Sequence, residues 1–209
     1  MRRVVVIAAV AVPMLTASVG TAGAASVQRY AFRGTVAQAY WVVEGATTVV
    51  HVDVAVSRNR LGRVLTVFET IDRYDPSGHF TGSSSVVADA HAGFTMSIDA
   101  SLSSARASGD DVPATTCSYD ANYQPLGCSP STIDVTAQWT GIGPVDRSHS
   151  TAHFHSAGFT SVYHDNGSAR DAIATGSVDN VALTRADLVT ARLSADTNGF
   201  VEVCPAPSC

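Results

Sequence analysis

Lysine is absent from the 209-residue chain; all 13 basic residues are arginines. No lysine nucleophile or Schiff base is available, which closes aldolase-like and pyridoxal chemistries. The arginines form no basic runs and 18 carboxylates outnumber them. That balance argues against a nucleic-acid partner and against anionic membranes. Glutamate is scarce: only Glu44, Glu69 and Glu202 are present. There is no Cys-x-x-Cys pair for a thiolate metal site and no Gly-x-Ser-x-Gly elbow to activate a serine. No helix-loop-helix calcium loop is found, no internal repeat, and almost no helical periodicity.

The one long apolar run stands at the start. Arg2 and Arg3 precede the stretch Val4 to Leu15, which only Pro13 interrupts. Small residues follow, offering Ala22-Gly23-Ala24 or Gly23-Ala24-Ala25 as a cleavage site. The run is shorter than the roughly 20 residues a bilayer needs, and no second apolar span follows it. Residues 1–25 therefore read as a signal peptide, and residues 26–209 as a secreted, soluble protein with no membrane span. Removing Arg2 and Arg3 from the 13 basic residues leaves 11 against 18 acidic, a net charge of −7. The all-arginine habit and the wealth of Ala, Val, Thr and Gly point to a GC-rich bacterial gene. Nothing in composition marks a second domain, and the mature length suffices for one good-sized core.

Four cysteines in an exported chain imply disulfides, in one of three connectivities. Cys117 and Cys128 flank a turn-rich segment, and Cys204 and Cys209 enclose Pro205 and Pro207, so the two local pairs are expected.

Between these landmarks the pattern alternates with a period of two. Val50, Val52, Val54 and Val56 form a clean stripe, with His51 and Asp53 opposite. Tyr30, Phe32, Val36 and Tyr40 share one parity, and Ile133, Val135, Ala137 and Trp139 another. Turns are expected at 57–62, at Asp75-Pro76-Ser77-Gly78, at Ala157-Gly158 and at Asp165-Asn166-Gly167. Asp196-Thr197-Asn198-Gly199 and Asp110-Asp111 also read as oxygen-rich turns. The expectation is an all-β single domain of about ten strands, an antiparallel β-sandwich or a flattened up-and-down β-barrel.

Candidate chemistry centres on histidine. His149, His153 and His155 project to one face of a strand. A two-residue loop at Ala157-Gly158 sets Thr151 opposite His164, which adds His164 to that face. His153, His155 and His164 then form a candidate zinc or copper site; the competing reading is a polar sheet face with Phe154 in the core. Trp41 opposes the Tyr30–Phe32–Tyr40 parity, which makes it a candidate ligand-stacking residue, with core or strand-end packing as the alternative. Glu69 interrupts the face of Leu65, Val67 and Ile71, which makes it a candidate buried carboxylate with a raised pKa; the opposite parity, Val64 and Phe68, would leave it at the surface.

The segment Trp139-Thr140-Gly141-Ile142-Gly143-Pro144, with Arg147, His153-Phe154-His155, Gly158-Phe159, Asn166-Gly167 and Gly199-Phe200-Val201, resembles a group of secreted bacterial all-β proteins of unknown function. The likeness spans residues 139–201 and brings no activity, cofactor or catalytic residue with it. The leading expectation is an exported, non-enzymatic domain without a cofactor that binds an extracellular ligand, a glycan, a protein or a small molecule. The alternative is a metal-binding protein or metal-dependent enzyme built on the histidines.

Overall fold

The fold is that of a computed structural model, which describes residues 26–156 and 159–204, and their side chains over 33–155 and 161–197. The expected signal peptide, residues 1–25, and the expected Cys204–Cys209 disulfide lie outside the described residues and side chains. Eleven strands make one antiparallel sheet, with no helix among the described residues. In chain order they are β1 (Ser26–Glu44), β2 (Thr48–Asn59), β3 (Gly62–Tyr74), β4 (Phe80–Ala90), β5 (Thr95–Ile98), β6 (Ser104–Tyr119), β7 (Pro125–Gly141), β8 (Asp146–Ser156), β9 (Phe159–Val178), β10 (Val181–Leu183) and β11 (Leu188–Cys204).

The ladder runs β1-β2-β3-β4-β6-β7-β9-β11 and returns from β11 to β1, so the pairings close into a flattened ring. Around the ring the strands keep their chain order, with β5, β8 and β10 set off the path, which is the up-and-down order that hairpin spacing implies. The short β5 lies on the edge of β6, and β10 on β9. Past Gly34, β1 loses β2 and pairs only with β11, while β9 gains β8. The strands β8-β9-β11-β1 thus extend from one end of the ring as a four-stranded arm.

The ring interior is built from alternate residues of each wall. Ala37, Ala39 and Trp41 line β1; Val52, Val54 and Val56 line β2; Leu65 and Val67 line β3; Ile133, Val135, Ala137 and Trp139 line β7; Ala172, Ala174 and Val178 line β9. Alanine and valine on most positions let opposite walls approach, and the two tryptophans fill the remaining width. Full burial of a large aromatic side chain removes 150–250 Å² from water, about 4–6 kcal/mol each.

Several expectations fail for identifiable reasons. The inward parity of β1 is that of Trp41, so Val36 and Tyr40 turn outward. Asp165-Asn166-Gly167 is not a turn: β9 runs through it, paired with Ser150, His149 and Ser148 on one side and with Asn198, Thr197 and Asp196 on the other. Two complete ladders override the turn preference of Asn-Gly. A Cβ on Gly167 would lie 2.7 Å from Ser148 Oγ and 2.9 Å from Asp196 Oδ1, so a larger residue there makes those two side chains swing aside. Asp196 to Gly199 is likewise strand, inside β11. Asp110-Asp111 forms a bulge in β6 rather than a turn, with Asp111 at φ 53°. Phe154 is not core; it is 56% exposed, because β8 is the outer strand of the arm. Cys117 faces Cys128 directly across β6 and β7, with a Cα–Cα distance of 4.0 Å and a disulfide between them.

Candidate functional site

At the arm end of the ring, three inward stripes change character together. On β1 the stripe Trp41, Ala39, Ala37, Thr35 ends in Arg33; on β2 the valine stripe ends in Arg58; on β3 the stripe Val67, Leu65 ends in Arg63. The register sets Arg58 directly opposite both Thr35 and Arg63, and Arg60 caps the hairpin between β2 and β3. Like charges directly opposite on a sheet destabilise it. The Arg63 guanidinium lies over the Phe94 ring, 5.7 Å from its centre, a contact favourable to a cation. Arg33 and Arg58 are exposed and have no ion-pair or hydrogen-bond partner among the described residues.

These arginines border a cleft of about 860 Å³, lined by Arg33, Arg58 and Arg60 with Ile98, Ala100 and Ala195 and closed on one side by Asp196 and Thr197. A hollow of about 400 Å³ shares Arg58, Asn59 and Ile98 and adds Arg63 and Met96. The inner walls are apolar and the rim is cationic. Sizes of roughly 300–1,000 Å³ are usual for small-molecule sites. A guanidinium fork matches carboxylate, phosphate or sulfate oxygens in a two-point contact. Sequence reasoning missed this cluster although a signal was present: Arg58 continues the parity of Val50 to Val56, but the expected turn from 57 onward hid it.

The histidine hairpin has the register that the two-residue loop implies: Ser156 pairs Phe159 and Thr151 pairs His164. His149, His153, His155 and His164 accordingly share one face, and all four are exposed. His164 Nδ1 lies 3.0 Å from Thr151 Oγ1, and His149 Nδ1 is hydrogen-bonded to Asn166 Oδ1. Among the described residues, no three His, Cys, Asp or Glu side chains are arranged to hold a metal ion. The structure therefore brings His153, His155 and His164 to one face without converging them: His164 is the diagonal neighbour of His153, about 7–8 Å away, and His155, opposite Thr160, stands four residues from His164 along β9.

Trp41 cannot stack on a ligand. Its relative exposure is 0%, since odd residues of β1 point inward. Its Nε1 and that of Trp139 are buried without a hydrogen-bond partner. His51 and Asp53 share the outer face but do not pair with each other. The Tyr40 hydroxyl lies 2.7 Å from His51 Nδ1, and Gln38 Nε2 donates to Asp53 at 3.0 Å.

Glu69 faces the interior, as one of its two sequence readings has it, and is 3% exposed. It lies on a rung with Val52 and Val86. Burial, and next the negative charge of Asp179 in the β9–β10 turn, raise its pKa from 4.5 to about 7.

Fold and site together define a class: an all-β ring of consecutive antiparallel strands with an arginine-rimmed, apolar-walled cleft at one end. Comparison of the chain with family models, curated proteins and solved structures returns no match.

Proposed function

We propose that this is an exported, non-enzymatic binding protein whose cleft at the arm end takes a small ligand with an anionic head and an apolar body. The observation that carries the reading is the simultaneous ending of three apolar inward stripes in Arg33, Arg58 and Arg63. Placing Arg58 opposite Arg63 costs energy in the free protein, and an anion between them removes that cost. The apolar residues Met96, Ile98, Ala100 and Ala195 accept the body of the same ligand. Decanoate and decanol, compared by titration calorimetry on the mature protein, test the reading. Decanoate binds and decanol binds more weakly; Arg58→Gln lowers decanoate affinity about tenfold or more, as loss of a charge-assisted hydrogen bond implies. Equal affinity for the two ligands, or no effect of Arg58→Gln together with Arg33→Gln, retires the assignment.

A second reading rests on the register of the β8–β9 hairpin, which puts His155 beside His153 on one strand and His164 on the diagonal from it, and so supports His153 as the shared zinc or copper ligand, completed by His155 or by His164. Titration with zinc, followed by the imidazole resonances of the wild type and of His153→Ala, decides it. Saturable binding at one equivalent that the substitution abolishes favours this reading. Shifts that never saturate retire it.

A further inference from the structure

The end of the ring opposite the arginine cleft carries an aromatic platform, and we propose that it is a second binding site, one that takes a pyranose ring of a neutral glycan. Phe80 and Tyr123 stack face to face, with centroids 4.5 Å apart and planes 16° apart, and Tyr74 packs edge-on against Phe80 at 5.9 Å. They come from two hairpins: β3–β4 supplies Tyr74 and Phe80, and β6–β7 supplies Tyr123. The hairpins meet because position 82 is glycine. A Cβ there would stand 2.7 Å from the Tyr119 carbonyl oxygen, so any other residue pushes β4 off the β6–β7 turn.

Both turns are fixed by the same device. Asp75 Oδ1 accepts the N–H groups of Ser77 and His79, each at 2.9 Å. Asp120 Oδ1 accepts those of Asn122 at 2.8 Å and Gln124 at 2.9 Å. In each turn the fourth residue is left-handed, Gly78 at φ 86° and Tyr123 at φ 60°. That conformation favours glycine, and glycine occupies it at 78. A related turn places Leu102 at φ 56°, but Leu102 is 1% exposed and its burial in the core offsets the strain. Tyr123 has no such burial: it is 62% exposed, and its stack on Phe80 is the one ring contact that holds it among the described residues. A strained, rigidly held and solvent-facing aromatic is the pattern found where strain serves a ligand rather than the fold.

The chemistry of the patch selects the ligand class. Tyr123 leaves most of its surface open to solvent beside the half-buried Phe80, and the amide side chains of Asn122 and Gln124 stand in the same turn, on exposed residues. A pyranose has the matching form, with an apolar C–H face to lie on an aromatic ring and a rim of hydroxyls to bond amides. The nearby Cys117–Cys128 disulfide ties the two strands that carry the Tyr123 turn.

The test uses the full mature protein with cellohexaose, laminarihexaose and chitohexaose, titrated by calorimetry and by ligand-observed NMR. At least one hexasaccharide binds, and Tyr123→Gly lowers its affinity about tenfold or more while the melting temperature stays equal to or above that of the wild type. Arg58→Gln leaves glycan binding unchanged, which separates this site from the arginine cleft. Binding of none of the three sugars overturns the proposal. So does a Tyr123→Gly protein that binds them as the wild type does.

Discussion

Replacing Glu69 by glutamine removes a charge from the ring interior while keeping the shape of the side chain. In the unfolded chain this carboxyl titrates near 4.5, and in the folded protein near 7. Between these values the folded state holds a proton that the unfolded state has lost, so the stabilisation relative to a charged carboxylate is fully present below pH 4.5 and is lost as pH rises through 7. Each pH unit in the window corresponds to about 1.4 kcal/mol, which brings the total to about 3 kcal/mol. Glutamine cannot ionise, and its buried amide imposes a cost that does not change with pH. Urea unfolding of both proteins at half-unit steps from pH 4 to 8.5 isolates the effect, because every other titrating group cancels in the difference. The variant gains on the wild type progressively from pH 5 upward and the gain levels off above pH 8. A difference constant to about 0.5 kcal/mol across pH 5–8 would falsify the assignment of Glu69 as a buried carboxyl of raised pKa.

Trp41→Ala opens a large cavity in the ring and costs about 3–5 kcal/mol in chemical denaturation. Trp41→Phe costs less than about 2 kcal/mol, because it deletes an indole N–H that has no partner; equal losses for the two variants would contradict the burial of an unsatisfied donor. Replacing Cys117 and Cys128 together by alanine lowers stability by about 3 kcal/mol, the loop-closure figure for a link of this span, with the strand circular-dichroism signal retained. Gly176→Ala drives a methyl group into the Thr136 carbonyl oxygen, where β9 meets β7, and lowers the urea midpoint by the equivalent of 1–3 kcal/mol, roughly the range for overpacking.

The order of strands was legible because hairpin turns announce themselves locally. Asp75-Pro76-Ser77-Gly78 turns where its residue types require, and the spacing around Ala157-Gly158 yields the β8–β9 register that places Thr151 opposite His164. Burial was less legible. Period-two alternation says that two faces differ, not which one is inside, so Trp41 and Tyr40 exchanged roles on β1. On β3 both parities looked plausible, and the interior took the one containing Glu69 against its charge preference, because Leu65 and Val67 lie on it too. Asn166-Gly167 misled because a local turn preference of this kind yields to two flanking ladders, and sequence near the turn does not reveal them. The arginine cleft needed knowledge of which strands are neighbours: Arg33 and Arg58 are 25 positions apart in the chain, and only the β1–β2 register brings them to one rim.

The closure of the ring has a consequence for how the molecule is completed. Consecutive ring strands pair as the chain lengthens, but the seam from Ser26–Cys204 to Trp41–Leu188 joins the first strand to the last. Until β11 arrives, β1 and β9 each present an open edge, and an open edge invites pairing with other chains. A product cut short before Leu188 is therefore not a slightly smaller version of the protein but one with two adhesive margins, prone to assemble with its own kind. Release of the final strand is the event that closes both of these margins at once.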